Sequence, residues 1–153
     1  IRIYPQALQQ EDCLGRTPLH VAAGTGASPL VIKLLTVRYP QACNVQDEDG
    51  RTPLHFACDA DCELFEDDGD APRRAPPSLD TVRVLLAGSL SAVTLEDEDE
   101  MNAVEYAIVS DAPIEVVTLL QKATQRVLKK KMMKNKYSPR TSPMSVRARI
   151  SVN

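Results

Sequence analysis

Apolar residues recur at helical spacing in three well-separated stretches of this chain. Leu30, Val31, Leu34 and Leu35 fall together on one predicted helix face. This helix opens near Pro29 and stops before Pro40, because a residue that precedes proline disfavours the α region. Leu79, Val82, Leu85 and Leu86 predict a second helix of the same kind, with Val82-Arg83-Val84-Leu85 matching Ile32-Lys33-Leu34-Leu35 fifty residues earlier. A third begins at Pro113 and carries Ile114, Val116, Val117, Leu119 and Leu120, eighty-five residues after the first. Its apolar positions continue through Val127 and Leu128 toward Met132, so a long helix is expected, with Lys129-Lys130-Lys131 and Lys134 suited to its C-terminal dipole end.

A shorter stretch precedes the first two of these helices. Thr17-Pro18-Leu19-His20-Val21-Ala22 returns thirty-five residues later as Thr52-Pro53-Leu54-His55-Phe56-Ala57. Threonine is a good N-cap and proline suits the first helical position, so the same helix is predicted to start twice. Gly15 is expected to make the turn that leads into it, and Gly24-Thr25-Gly26 to end it. Before the third long helix, Asp99 to Ala107 aligns with Asp49 to Ala57, with Asn102 keeping the cap while glycine, proline and histidine are lost. The doubled stretch resembles the ankyrin repeats, whose signature is T-P-L-H-x-A. The resemblance implies an all-α, ankyrin-type helix-turn-helix repeat solenoid with protruding β-turn loops.

The domain reading follows the period. Residues 1–11 are expected to be the tail of a preceding repeat, since Tyr4-Pro5-Gln6-Ala7 lies thirty-five residues before Tyr39-Pro40-Gln41-Ala42. Repeats are expected at 12–46 and 47–96, and a degenerate one with an extended last helix at 97–128. The middle repeat carries an acidic, then proline-rich insertion at about 61–77, which reads as an exposed loop. Residues 129–153 form a basic tail with Ser138-Pro139 and Ser142-Pro143, expected to be disordered after Tyr137 and open to phosphorylation beside its lysines.

Charge sharpens this division. The net value of −3 over 153 residues conceals 8 Lys/Arg against 21 Asp/Glu before Lys122, and 10 Lys/Arg with no acid from Lys122 onward. The basic stretch Lys129–Lys136 therefore reads as a solvated helix end, a nucleic-acid or nuclear-import patch, or a clasp onto the acidic insertion. No apolar run approaches the roughly 18 residues of a membrane span. Cys13, Cys43, Cys58 and Cys62 follow the repeats rather than a disulfide framework and read as reduced thiols of an intracellular protein, in cytoplasm or nucleus.

Catalytic chemistry finds no support. There is no glycine-rich phosphate loop and no nucleophile elbow, and the carboxylates lie mostly in loops without the burial that raises a pKa. Zinc at His55, Cys58 and Cys62 would lack a fourth ligand, so no metal, cofactor or enzymatic activity is expected. The ankyrin resemblance gives Thr17, Pro18, Leu19 and His20, and Thr52, Pro53, Leu54 and His55, structural roles, with each histidine bonding its capping threonine and nearby backbone. It also implies a non-enzymatic scaffold or adaptor that binds a protein partner through turn tips and first helices. Carried over by position, the contacts are Cys13, Leu14 and Arg16, then Glu48, Asp49 and Arg51, then Asp99 and Met101, extended by Gly24, Thr25 and Asp59. The acidic turns point to a basic partner. Two other readings are a regulatory or anchoring segment of a larger enzyme or channel, and a nuclear regulator whose tail contacts nucleic acid.

Overall fold

The structure, a computed structural model, describes residues 4–64 and 75–137. Within them the chain forms six α-helices: α1 (Pro18–Gly24), α2 (Pro29–Arg38), α3 (Pro53–Cys58), α4 (Leu79–Gly88), α5 (Ala103–Val109) and α6 (Ile114–Tyr137). No strand occurs among the described residues. Short 3-10 turns at Pro5–Gln9, Pro40–Asn44 and Leu90–Thr94 precede the loops that lead into α1, α3 and α5. The helices pair as α1–α2, α3–α4 and α5–α6, with α1, α3 and α5 forming one layer and α2, α4 and α6 the other. This is an all-α helical solenoid.

The starts of the inner-layer helices are chemically alike. Thr17 and Thr52 hold extended backbone before a proline at the first helical position, and each forms a capping box with the histidine three residues on. Asn102 does the same for α5, its Oδ1 accepting from the N–H groups of Val104 and Glu105. Glu105 takes the histidine's place and accepts the Asn102 N–H at 2.7 Å.

One core runs the length of the stack. Leu19, Leu54 and Phe56 fill it from the inner layer, and Ile32, Val82, Leu85, Val116 and Leu120 from the outer. In α4 the apolar pattern identifies the buried side: Val82, Leu85 and Leu86 are buried and Leu79 half-buried. In α2 it does not. Ile32 and Thr36 are buried, whereas Leu30, Val31 and Leu34 face solvent and Leu35 is half-buried. That helix is apolar nearly all round, so periodicity singles out no face. Gly88 lies close against α2 and the turn after it, where an added Cβ would meet Thr36 Cγ2 and lie 2.7 Å from Cys43 Sγ.

The insertion is not wholly an exposed loop. Its first residues fold back over the inner layer, with Cys62 and Leu64 packed against the core and the Leu64 carbonyl accepting from Arg16 Nη1 at 3.0 Å. Pro77, at its far end, is buried, and the residues between 64 and 75 lie outside the described region. At the other end α6 is long, as expected, and takes in Lys129–Lys131 and Lys134 before it ends at Tyr137, while the residues for which disorder and Ser-Pro modification are expected lie outside the described region.

Candidate functional site

Each loop that leads into an inner-layer helix is built on one aspartate. Asp12 Oδ1 accepts from the N–H groups of Leu14 and Arg16, both at 2.9 Å. Asp47 repeats this with Asp49 at 3.1 Å and Arg51 at 2.8 Å, and Asp97 with Asp99 at 3.0 Å and Met101 at 2.9 Å. The main chain closes each turn again, through Asp12 N–H to Arg16 O, Asp47 N–H to Arg51 O and Asp97 N–H to Met101 O. A carboxylate that accepts several N–H bonds is held ionised. Burial pushes the Asp12 and Asp97 pKa values up, but these bonds outweigh it and leave both below the ordinary 3.8, with Arg16 helping Asp12 and the Tyr106 hydroxyl helping Asp97.

The turn tip needs a left-handed residue. Gly15 supplies it at φ 72° and Gly50 at φ 77°, but the third turn uses Glu100 at φ 59°. Neighbouring turns are hydrogen-bonded to one another, Glu48 N–H to Leu14 O at 3.0 Å and Glu98 N–H to Asp49 O at 2.9 Å. The tips therefore form one continuous rim rather than three separate loops.

Histidines fasten this rim to the helices. Nδ1 of His20 accepts the Thr17 N–H at 3.0 Å, with the Thr17 hydroxyl 2.9 Å away, while Nε2 donates to Arg51 O at 3.0 Å in the following turn. His55 does the same with Thr52 and with Met101 O at 3.0 Å. A carbonyl only accepts, so Nε2 carries the proton in both rings. Burial holds both pKa values below 6.5, against the opposing pull of the carbonyls and of Asp47 or Asp97. Each ring also meets the aromatic of the next pair edge-on, His20 with Phe56 at 5.4 Å and His55 with Tyr106 at 5.6 Å. The histidines are thus structural, and their second nitrogen bonds across to the next helix pair rather than within their own.

The expected contact residues are placed as follows. Cys13, Leu14, Thr25, Glu48, Asp49 and Asp99 are exposed, and Arg16, Arg51, Asp59 and Met101 are half-buried. Gly24 is not accessible: it is buried, and an added Cβ would come within 2.6 Å of Leu64 Cδ1 and 3.0 Å of Phe56 Cδ1. Leu64 covers it because the insertion folds back, which residue spacing alone does not disclose. Both arginines are already engaged. Arg16 pairs with Asp12 at 2.7 Å, and Arg51 pairs with Asp49 at 3.0 Å and stacks on Phe56 with its guanidinium carbon 4.9 Å from the ring centre. The exposed charged side chains of the tips that remain are acidic: Glu48, then Glu96, Glu98, Asp99 and Glu100.

Two groups escaped sequence reasoning. Tyr106 OH donates to Asp97 Oδ2 at 2.6 Å, tying α5 to its own turn. The aspartate series Asp12, Asp47, Asp97 had a legible signal, since each lies five residues before a capping residue, Thr17, Thr52 or Asn102.

The buried thiols and His55 are not available for chemistry. Burial pushes the Cys58 thiol up to about 12, and the Cys43 thiol is also raised, so neither is a ready thiolate. Both His55 nitrogens are engaged. Among the described residues no group of three or more His, Cys, Asp or Glu is arranged to hold a metal, and no disulfide joins Cys13, Cys43, Cys58 or Cys62.

Stacked helix pairs with a hydrogen-bonded rim define a repeat solenoid. A family model for ankyrin repeats in many copies matches residues 3–57, and one for the single ankyrin repeat matches residues 49–97. Together they cover more than half of the chain, which belongs to the ankyrin-repeat family. No curated protein matches it. Ankyrin repeats are generally protein–protein interaction modules and typically non-catalytic. Among the described residues no helix is long and apolar enough to cross a membrane.

Proposed function

We propose that this chain is a non-enzymatic scaffold that holds a basic protein segment against its turn tips and inner-layer helices. It does so inside the cell, where its cysteines stay reduced. Its repeats span 12–46, 47–96 and 97–128. The contact surface comprises Cys13, Leu14, Arg16, Thr25, Glu48, Asp49, Arg51, Asp59, Asp99 and Met101, with Gly24 left out because it is buried.

The observation that carries this reading is the rim. Its tips are locked by paired backbone and aspartate bonds, so a partner meets a preorganised surface and orders little of it on binding. The exposed carboxylates face solvent while Arg16 and Arg51 are turned inward to Asp12, Asp47 and Asp49. Such a field favours a cationic partner and speeds its encounter.

The test compares the whole chain with a Glu48→Lys, Asp49→Lys variant as bait in extract, washed at low and at high salt. A partner kept by the wild-type chain at low salt, weakened by salt and lost by the variant supports the proposal. Equal retention by both baits refutes it.

A further inference from the structure

The end of α6 takes no part in the solenoid. Val116, Leu120, Ala123 and Val127 are buried along one line of the helix, and every residue from Leu128 to Tyr137 is exposed. These ten residues extend about 15 Å beyond the last buried position. Their exposed apolar groups are large: Met132 is 74% exposed, Met133 66% and Tyr137 86%. Five lysines accompany them, Lys129, Lys130, Lys131, Lys134 and Lys136, and among the described residues none has an ion-pair partner.

The arrangement around the helix narrows what can cover it. At about 100° per residue, Leu128 and Met132 form one apolar line, and Met133 and Tyr137 another about 140° away. Lys129 and Lys136 lie between them on one side. Lys130, Lys131 and Lys134 occupy the other, where they continue the buried line that ends at Val127. A flat bilayer touches one face, so it would bury a single apolar line or press Lys129 and Lys136 into the hydrocarbon. A phosphate backbone gains nothing from exposed methionines. A protein groove that closes round the helix reaches both apolar lines while its acidic rims meet both groups of lysines.

We propose that the free end of α6 is a recognition helix for the acidic, methionine-lined groove that a calcium-sensor EF-hand protein opens when it binds calcium. Methionine side chains in such a groove are flexible and polarisable, so they adapt to Leu128, Met132, Met133 and Tyr137 without a fixed shape. The overhang is already helical and unpartnered, so the partner engages it without displacing any part of the solenoid.

The test is calorimetric titration of the whole chain with calmodulin, in calcium and then in excess chelator. A one-to-one, submicromolar complex that forms only with calcium is expected. Met132→Ser with Tyr137→Ser removes one anchor from each line and weakens it about a hundredfold, with the helical circular dichroism and melting temperature kept. Glu48→Lys with Asp49→Lys leaves this complex unchanged, which separates it from binding at the rim. The inference is overturned if calcium-loaded calmodulin does not bind, or if the Met132, Tyr137 variant binds as tightly as wild type. It is equally overturned if phosphatidylcholine–phosphatidylserine vesicles or duplex DNA bind the chain more tightly than calmodulin does.

Discussion

Replacing Gly88 by alanine sets two opposing effects against each other. Gly88 is the last residue of α4, and alanine is favoured over glycine in helices by about 1 kcal/mol, less at a frayed end. An alanine Cβ there would collide with Thr36 Cγ2 and sit 2.7 Å from Cys43 Sγ. Thr36 and Cys43 are both buried, and the Thr36 hydroxyl is tied to Ile32 O at 2.8 Å, so neither neighbour swings away freely. Overpacking of this kind costs about 1–3 kcal/mol, which exceeds the propensity gain. Gly88→Ala should therefore destabilise the fold by about 1–2 kcal/mol and lower the melting temperature by roughly 4 °C per kcal/mol. Thr36→Ser removes the colliding methyl and keeps the hydroxyl, and in the double variant should recover about 1 kcal/mol of the loss. Thermal melts of the four proteins in this cycle measure both quantities. A higher melting temperature for Gly88→Ala, or a coupling of zero, would refute the claim that this contact sets the distance between α2 and α4.

Other predictions follow from the turns and their fastenings. Both buried histidines have pKa values below 6.5, so the unfolded chain takes up protons that the folded one refuses. Stability should be fully present above about pH 6.5 and fall on acidification by at most about 2.7 kcal/mol per pH unit. Melts between about pH 7 and pH 5 should show this, with the slope halved in His55→Gln, and a flat profile would contradict it. Glu100 holds the left-handed position that Gly15 and Gly50 fill elsewhere, so Glu100→Gly should stabilise by about 0.5–1 kcal/mol in chemical denaturation. Glu100→Gln removes the charge but keeps the cost of the left-handed backbone; a gain from glutamine equal to that from glycine would assign the effect to charge relief instead.

The doubled Thr-Pro-Leu-His stretch made α1 and α3 legible, because each residue in it has a local job that spacing reveals. The outer-layer helices α2, α4 and α6 were legible through their offsets, although the inward side of α2 was not, since Leu30, Val31 and Leu34 look as apolar as Ile32. Long-range consequences were out of reach. Nothing in the spacing of Arg16 and Leu64 announces that they meet, nor that Nε2 of His20 reaches Arg51 O. Register placed the expected contact residues at the tips, but not their exposure: Arg16, Arg51, Asp59 and Met101 are half-buried, and the burial of Gly24 depends on an insertion forty residues away. The overhang of α6 was visible as composition, but its freedom on all sides is a matter of where the preceding helices end.

Gly24 and Leu64 together set a limit on exchange. Leu64 occupies the notch left by the missing side chain at the end of α1, and the corresponding ends of α3 and α5 carry Asp59 and Val109 instead. Only the first pair can seat the insertion that the second one carries. The units of this array are therefore not interchangeable blocks: shuffling their order, or trading the first for a consensus unit without glycine at that place, would unseat Leu64 and release the hold of its carbonyl on Arg16. The insertion has made a series of similar parts into a sequence with a fixed order.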